Sequence, residues 1–340
     1  EEILEDQKLY STIGILPKET DLFDLLLGLH GEGVLGLYRS EEEKFYIVQE
    51  GEELGAEQQR TYVHEFVHAL QQQHFDFQTA FDAVEDNTDA STAISALVEG
   101  DARLAETVYT FEHMTEAERQ VSQGTASQEL INAFQSAPAV IQRRFLFPYV
   151  EGVQFALSLY QALGFSALDD AFANLPVSTE QILHPEKYVT PDLPVSVEVP
   201  DFAAALGDGW SLIRKDTFGE FMLQAYLSAV VPLITAQEAA AGWGGDSILL
   251  LEGPRGETAV VFAIVWDTGH DAEEFYNTFL SFTKARTGVE WVEDSPSEAA
   301  HRMMLDGQVV FISGAGAFTL VVFAPDDAAV ENVRAALAGG

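Results

Sequence analysis

The chain of 340 residues contains no cysteine. This absence excludes disulfide bonds, zinc sites built from thiolates and cysteine nucleophiles. It leaves the cellular compartment open. Hydrophobic residues make up 47% of the chain and aromatic residues 11%, which is typical of a folded protein with a sizeable core and room for two domains.

Basic residues are scarce. The chain has 17 Lys and Arg residues against 55 Asp and Glu residues, and its formal net charge is −38 at pH 7. A nucleic-acid partner is not expected, because binding to phosphates by counterion release requires basic residues. The same argument disfavours an anionic membrane surface. The acidity favours solubility and is also compatible with a cationic substrate.

Long apolar runs are absent too. No run approaches about 18 residues, so no membrane span is predicted. The chain begins with Glu1 and not with methionine, and the residues that follow are polar and acidic. This beginning favours an extracytoplasmic or secreted protein whose leader or anchor is missing from the sequence.

The most informative stretch is a His-Glu-x-x-His motif formed by His64, Glu65 and His68. Residues 57–78 contain no Gly or Pro and predict a helix with an apolar face. On that helix both imidazoles leave one face about one turn apart and can reach one ion. Glu65 can take a proton from a water on that ion, an arrangement typical of zinc metalloproteases. The alternative is a core helix with two hydrogen-bonded histidines.

A second predicted helix supplies the candidate for the third metal ligand. It begins near Thr88 or Asp89, which are both competent N-caps. Glu99 lies on this helix among apolar and small residues, and buried carboxylates are rare unless they are paired or bound to metal. Asp101 is the competitor, but its side chain points about 200° away around the helix. Both could also be surface acids.

A hairpin is predicted directly before the motif. Residues 34–38 and 44–48 read as two strands, with a turn at residues 40–43. In zinc peptidases a strand near the motif helix binds the substrate as an added β-strand. An ordinary hairpin that only covers the helix would have the same sequence.

The carboxy-terminal part follows a different plan. Pro191 and Pro194 mark a boundary between residues 1–190 and residues 191–340. Two strand-strand-helix units follow, and they predict an antiparallel sheet with helices on one face. Their strands are expected at residues 247–251, 258–266, 301–305, 308–313 and 319–323, and their helices at 272–285 and 326–337. No chemical constellation stands out there.

The motif and its surroundings resemble the gluzincins, the thermolysin-like zinc metallopeptidases with a glutamate third ligand. The matching positions are His64, Glu65, His68 and Glu99, and the resemblance covers roughly residues 30–190. It looks closest to uncharacterised exported bacterial members. It implies an α+β fold, with a zincin-like domain of a small twisted sheet plus helices and then a smaller α+β domain. Arg103 departs from the pattern, because many gluzincins have an aspartate there to orient a histidine.

The function expected on these grounds is zinc-dependent hydrolysis of peptide or protein substrates. Zn²⁺ would be held by His64, His68 and Glu99, and Glu65 would act as general base. The oxyanion needs a further donor, for which His184, Tyr188 and Tyr149 are candidates. His184 and Tyr188 lie on a Pro-containing loop after a helix capped by Ser178 or Thr179, and Tyr188 could also simply pack that loop. The rival expectations are a latent zincin-like scaffold that binds a partner through its carboxy-terminal domain, and a helical core without metal.

Overall fold

The computed structural model describes residues 2–31, 36–39, 42, 44–47, 54–122, 127–294 and 299–339. Helices and antiparallel sheets are combined in one chain, which confirms the α+β class. Parts of the predicted hairpin, namely residues 34, 35 and 48 of its strands and residues 40, 41 and 43 of its turn, lie outside the described residues. Among the described helices, none is both long and apolar enough to cross a membrane.

The amino-terminal part is mainly helical, with one small hairpin. Strands β1 (Gly36–Arg39) and β2 (Lys44–Ile47) pair antiparallel. The helices are α1 (Glu2–Thr12), α2 (Leu22–Gly31), α3 (Ala56–Phe75), α4 (Phe77–Asp82), α5 (Thr88–His113), α6 (Glu116–Val121), α7 (Gln128–Ser136), α8 (Ala139–Leu163), α9 (Phe165–Ala173), α10 (Thr179–Leu183), α11 (Pro185–Val189) and α12 (Phe202–Leu206).

Helix α3 carries the motif, as its apolar spacing predicted, but it ends earlier than residue 78. Asp76 adopts a left-handed conformation with φ 48° and separates α3 from α4. Aspartate tolerates this conformation better than most residues, because its short polar side chain can hydrogen-bond locally. The side chain of Asp76 accepts hydrogen bonds from Gln72 and Thr79.

Helix α5 begins at Thr88, as predicted, but its N-cap is neither Thr88 nor Asp89. The N-cap is Asn87, whose side chain accepts a hydrogen bond from the Ala90 N–H. Helix α8 begins at Ala139 and contains Pro148 in its interior. Proline favours the first turn of a helix because it lacks the N–H, so an interior position is unusual for it.

Helices α5 and α8 touch backbone to backbone where they cross. A Cβ placed on Gly100 would lie 2.2 Å from the Gly152 carbonyl oxygen. A Cβ placed on Gly152 would lie 2.2 Å from the Ala96 carbonyl oxygen. Only glycine permits such an approach, and it holds the Glu99 region of α5 against α8.

The carboxy-terminal part is built on a seven-stranded sheet in the order β3-β4-β5-β9-β8-β7-β6, with every neighbouring pair antiparallel. The predicted strands are present, and β3 and β6 were not predicted. The strands are β3 (Ser211–Asp216), β4 (Trp243–Glu252), β5 (Thr258–Trp266), β6 (Val292–Glu293), β7 (Ala299–Leu305), β8 (Gln308–Ala315) and β9 (Phe318–Ala324). The helices are α13 (Gly219–Ser228), α14 (Leu233–Ala240), α15 (Gly269–Thr287) and α16 (Asp327–Gly339).

The prediction that helices cover one face of this sheet is wrong. Ile248 of β4 packs in one core with Phe275 of α15. The next residue, Leu249, packs in a second core with Val330 of α16. Strands that are apolar at consecutive positions bury both faces, so helices are needed on each side.

One hydrophobic core extends across the predicted domain boundary. It includes Leu9 of α1, Leu97 of α5 and Phe155 of α8 together with Phe262 of β5. Helix α1 packs against strand β5 of the sheet. The division of the chain between residues 190 and 191 stays a prediction.

Candidate metal centre

The two motif histidines face each other on α3. Their rings are nearly perpendicular, with centroids 4.6 Å apart, and the Nε2 atoms of His64 and His68 are 3.1 Å apart. The spacing of four residues on a helix produces this arrangement, because such side chains leave the same face. Two nitrogens that point at one another need either a shared proton or a shared ion.

Glu99 reaches the same point from α5. Its Oε2 lies 3.3 Å from His64 Nε2 and 3.7 Å from His68 Nε2. Ligand atoms bound at about 2.0–2.2 Å to one tetrahedral ion lie roughly 3.3–3.6 Å apart. The three measured separations bracket that range, so the donor set fits a single ion.

The charges of the triad also suit a cation. Burial by itself raises the pKa of Glu99, but the two imidazoles lower it to about 2. Burial lowers the pKa of His64, whereas Glu106 and Glu99 raise it to about 9. The Glu99 Oε2 atom is buried without a hydrogen bond from the described residues. A carboxylate oxygen left without a donor is costly unless a cation takes that place.

A carboxylate stands behind His64. The Glu106 Oε2 atom lies 3.6 Å from His64 Nδ1, which is the ring nitrogen that faces away from the triad. Glu106 accepts hydrogen bonds from Arg60 Nε and from Arg103 Nη1, each at 2.8 Å. Burial raises the pKa of Glu106, but His64 and the two guanidinium groups lower it below its ordinary value. An ionised carboxylate in this position orients a ligand histidine and makes it more basic.

An amide stands behind His68. His68 Nδ1 lies 2.8 Å from Gln71 Oε1, and Gln71 in turn donates to Asp101 Oδ2 and to the Val98 carbonyl. Burial raises the pKa of Asp101, which the hydrogen bond from Gln71 opposes. Asp101 therefore supports the proposed ligand His68 through Gln71 and is not itself a member of the triad.

Sequence reasoning missed Glu106 and Gln71. The signal was present, because Glu106 follows Glu99 by seven residues, or two helical turns, and so shares its face. Gln71 follows His68 by three residues, which also places it on one face. Arg103 stands where many gluzincins have an aspartate that orients a histidine. Here Arg103 donates a hydrogen bond to Glu106, and Glu106 is the residue that supports His64.

Glu65 lies beside the triad against the hairpin. It is buried, and its Oε2 accepts a hydrogen bond of 2.8 Å from the Tyr38 backbone N–H of β1. The hairpin can approach because residue 36 is glycine: a Cβ there would lie 2.9 Å from Glu65 Cγ. One carboxylate oxygen of Glu65 is thus engaged by the edge of β1.

Tyr149 is the only one of the three predicted donors that the described residues bring to the triad. Burial and the charge of Glu99 raise the pKa of the Tyr149 hydroxyl, and the charge of Glu65 adds to this effect. Tyr149 lines the same cavity as Glu99, and its hydroxyl remains protonated at neutral pH. It can serve as a hydrogen-bond donor beside the triad.

His184 and Tyr188 have other partners. The His184 Nε2 atom lies 3.0 Å from Glu220 Oε1, and the Tyr188 hydroxyl donates to the Asn174 carbonyl at 2.8 Å. The Tyr188 ring also packs edge-on against Phe155. The predicted cap at Ser178 is present, since its Oγ accepts from the Gln181 N–H. The predicted loop is wrong, since Tyr188 lies in the short helix α11 and His184 is its N-cap residue, but the contacts of this segment fit the packing alternative.

A cavity of about 490 Å³ adjoins the triad. Glu99 and Tyr149 line it, together with small polar residues of α5 and apolar side chains of α2 and α8. A larger cavity of about 830 Å³ lies where the amino-terminal residues meet β3 and β4, and its lining does not include the triad.

Comparison with known proteins reaches only the carboxy-terminal part. Residues 211–334 match the family model described as a domain of unknown function, DUF8575. The match runs from β3 into α16 and leaves the triad outside. No curated protein and no solved structure matches the chain.

Proposed function

We propose that this chain is a zinc-dependent metallopeptidase of the gluzincin type, with a zincin-like amino-terminal part, that cleaves peptide bonds within peptides or proteins. The observation that carries the proposal is the spacing of three ligand atoms. Two come from a His-Glu-x-x-His helix and one from a buried glutamate on a second helix, at the separations of a tetrahedral site.

The donor set favours zinc over other ions. Two imidazoles and one carboxylate are typical of catalytic zinc sites, which keep a fourth position for water. Calcium and magnesium prefer sites made of oxygen ligands. The supporting carboxylate of Glu106 behind His64 also fits a zinc site, where ligand histidines donate to such groups.

The proposed chemistry uses the triad and two further groups of the chain. His64, His68 and Glu99 would hold the zinc, which would supply a Lewis acid for the water and for the carbonyl. Glu65 accepts a proton from the water whose oxygen attacks the peptide carbonyl. Tyr149 donates a hydrogen bond to the carbonyl oxygen as negative charge develops there. Glu65 then transfers the proton to the leaving amine as the C–N bond breaks.

The first test measures metal. We expect about one zinc per chain, removed by chelators, because the chain offers one such triad among its described residues. His64→Ala combined with His68→Ala should abolish zinc binding, and Glu99→Ala should weaken it more than Asp101→Ala does. Full zinc occupancy in the double histidine variant would refute the site.

The second test separates binding from catalysis. Glu65→Gln should retain zinc, because Glu65 is not a ligand, and should lose about 10²–10⁴-fold in the rate of peptide cleavage. Glu57→Gln on the same helix is the matched control and should keep full activity. Cleavage by Glu65→Gln at the wild-type rate would exclude Glu65 as the general base.

A latent zincin-like scaffold is the second candidate. The hydrogen bond between the Tyr38 N–H and Glu65 favours it, because it engages the proposed general base. In this case the wild-type protein would hold zinc with high affinity but cleave no member of a broad peptide library. Binding of a partner would then fall to the carboxy-terminal part.

A further inference from the structure

An arginine lies at the rim of the candidate metal centre. Arg103 follows Glu99 by four residues on α5, so the two side chains leave the same face of the helix. The Arg103 side chain is 43% exposed, whereas that of Arg60, on the other side of Glu106, is 23% exposed. Arg103 is thus a partly exposed cation one helical turn from a proposed metal ligand.

Most of the Arg103 hydrogen-bonding capacity is free. A guanidinium has five N–H donors. In the part of the chain that the structure describes, the guanidinium donates only from Nη1 to Glu106 Oε2, at 2.8 Å. The other donors are available to a ligand that approaches the triad from solvent.

Arg103 is also a surplus positive charge. The carboxylate of Glu106 is already balanced by Arg60, which donates to it from Nε and Nη2. A divalent ion would be balanced by Glu99 and Glu65. Arg103 therefore adds a partly exposed positive charge beside the loaded site, within a chain of formal net charge −38. A local field of this sign attracts an anionic group.

We propose that Arg103 is a specificity-determining residue that binds a carboxylate of the substrate close to the scissile bond. The carboxylate is either the free carboxy terminus of a peptide or the side chain of an acidic residue. The inference rests on the proposed peptidase function and adds its substrate class. A planar guanidinium binds a carboxylate through two parallel hydrogen bonds, which a lysine cannot reproduce.

The test uses equilibrium binding, so that it does not depend on turnover. Zinc-loaded Glu65→Gln protein is titrated with three versions of N-acetyl-Ala-Ala-Phe-Ala-Ala in a calorimeter. One has a free carboxy terminus, one is carboxy-terminally amidated, and one is amidated with Glu in place of the residue after Phe. The same titrations are made with Arg103→Gln, Arg103→Lys and, as a charge control, Arg255→Gln, each in the Glu65→Gln background; the Arg255 side chain is 83% exposed.

We expect a carboxylate-bearing peptide to bind about 10- to 100-fold more tightly than the amidated peptide, as charge-assisted hydrogen bonds imply. The preference should disappear in Arg103→Gln, be partly restored in Arg103→Lys and be unchanged in Arg255→Gln. Which of the two acidic peptides gains identifies the source of the carboxylate. Equal affinity for all three peptides, or no binding of any, overturns the proposal.

Zinc affinity distinguishes recognition of the substrate by Arg103 from support of Glu106 by Arg103. If Arg103 only braces Glu106, Arg103→Gln will lose zinc affinity and keep the preference for carboxylates, which overturns the proposal. Failure of the proposed function appears separately, as absence of zinc or of cleavage in the wild-type protein.

Discussion

The two histidines of the triad have different groups behind them. His64 faces an ionised carboxylate, Glu106, whereas His68 faces the neutral amide of Gln71. A carboxylate raises the basicity of a ligand imidazole more than an amide does, since it stabilises positive charge on the ring. His64 should therefore be the stronger of the two ligands.

Replacing Glu106 tests this reasoning. Glu106→Gln keeps the shape of the side chain but removes its charge, and it leaves Arg60 and Arg103 without a common anionic partner. We expect zinc affinity to fall by about 10–100-fold, measured by competition with a chromophoric chelator. Glu112→Gln, an exposed acid on the same helix, is the control. Equal zinc affinities in Glu106→Gln and the wild type would contradict a role for the carboxylate.

At the residue level, local spacing made part of the site predictable. His64 and His68 follow from a spacing of four residues, and Glu99 from its small and apolar neighbours. Glu106 could have been predicted too, because its spacing of seven residues from Glu99 places both side chains on one face of α5. The choice among His184, Tyr188 and Tyr149 needed the tertiary packing of α8 and α10.

Among the elements, short-range patterns were reliable where apolar periodicity was strong. Helix α3 and strand β5 were predicted within three residues of their observed ends. Strand β3 was missed because Ser211–Asp216 is mostly polar and lies at an edge of the sheet. The packing of helices on both faces of the sheet was missed, because the order of strands and helices along the chain does not say which face each helix covers.

The crossing of α5 and α8 gives a prediction at the same scale. Gly152→Ala would place Cβ 2.2 Å from the backbone oxygen of Ala96. Alanine favours a helix over glycine by about 1 kcal/mol, but this clash is with backbone, which cannot rotate away. We expect a net loss of about 1–3 kcal/mol in the free energy of unfolding, measured with urea.

The same change should affect the metal site. Moving α8 away from α5 separates Tyr149 from Glu99, so zinc-loaded Gly152→Ala should lose cleavage activity out of proportion to its lost stability. Gly339→Ala is the control, because a Cβ there meets no atom within 4 Å. An unfolding free energy equal to that of the control would mean that the helices can separate at no cost.

On the scale of the whole molecule, the two parts of the chain are tied together by polar contacts as well as by the shared core. Arg214 of β3 donates to Asp6 of α1 at 2.9 Å, and the Tyr226 hydroxyl donates to the Ile13 carbonyl at 2.7 Å. These contacts join residues more than 200 positions apart in sequence, which no local pattern predicts. They favour a single cooperative unfolding transition for the described fold.

The contact between His184 and Glu220 joins α10 and α11 to α13, and it should make stability depend on pH. The hydrogen bond to Glu220 raises the pKa of His184; burial opposes it, and the charges of Glu220, Glu186 and Glu180 support it. A raised pKa stabilises the folded state below the unfolded pKa of about 6.5, and this contribution is lost as pH rises through the folded pKa.

The free energy of unfolding of wild type should therefore exceed that of His184→Gln by more at about pH 6 than at about pH 9. Urea titrations at both values measure this difference, with His270→Gln as the control for losing an imidazole. Because the imidazole is 35% exposed, solvent screening reduces the effect. A difference between wild type and His184→Gln that stayed constant, or grew with pH, would show that the ion pair does not contribute.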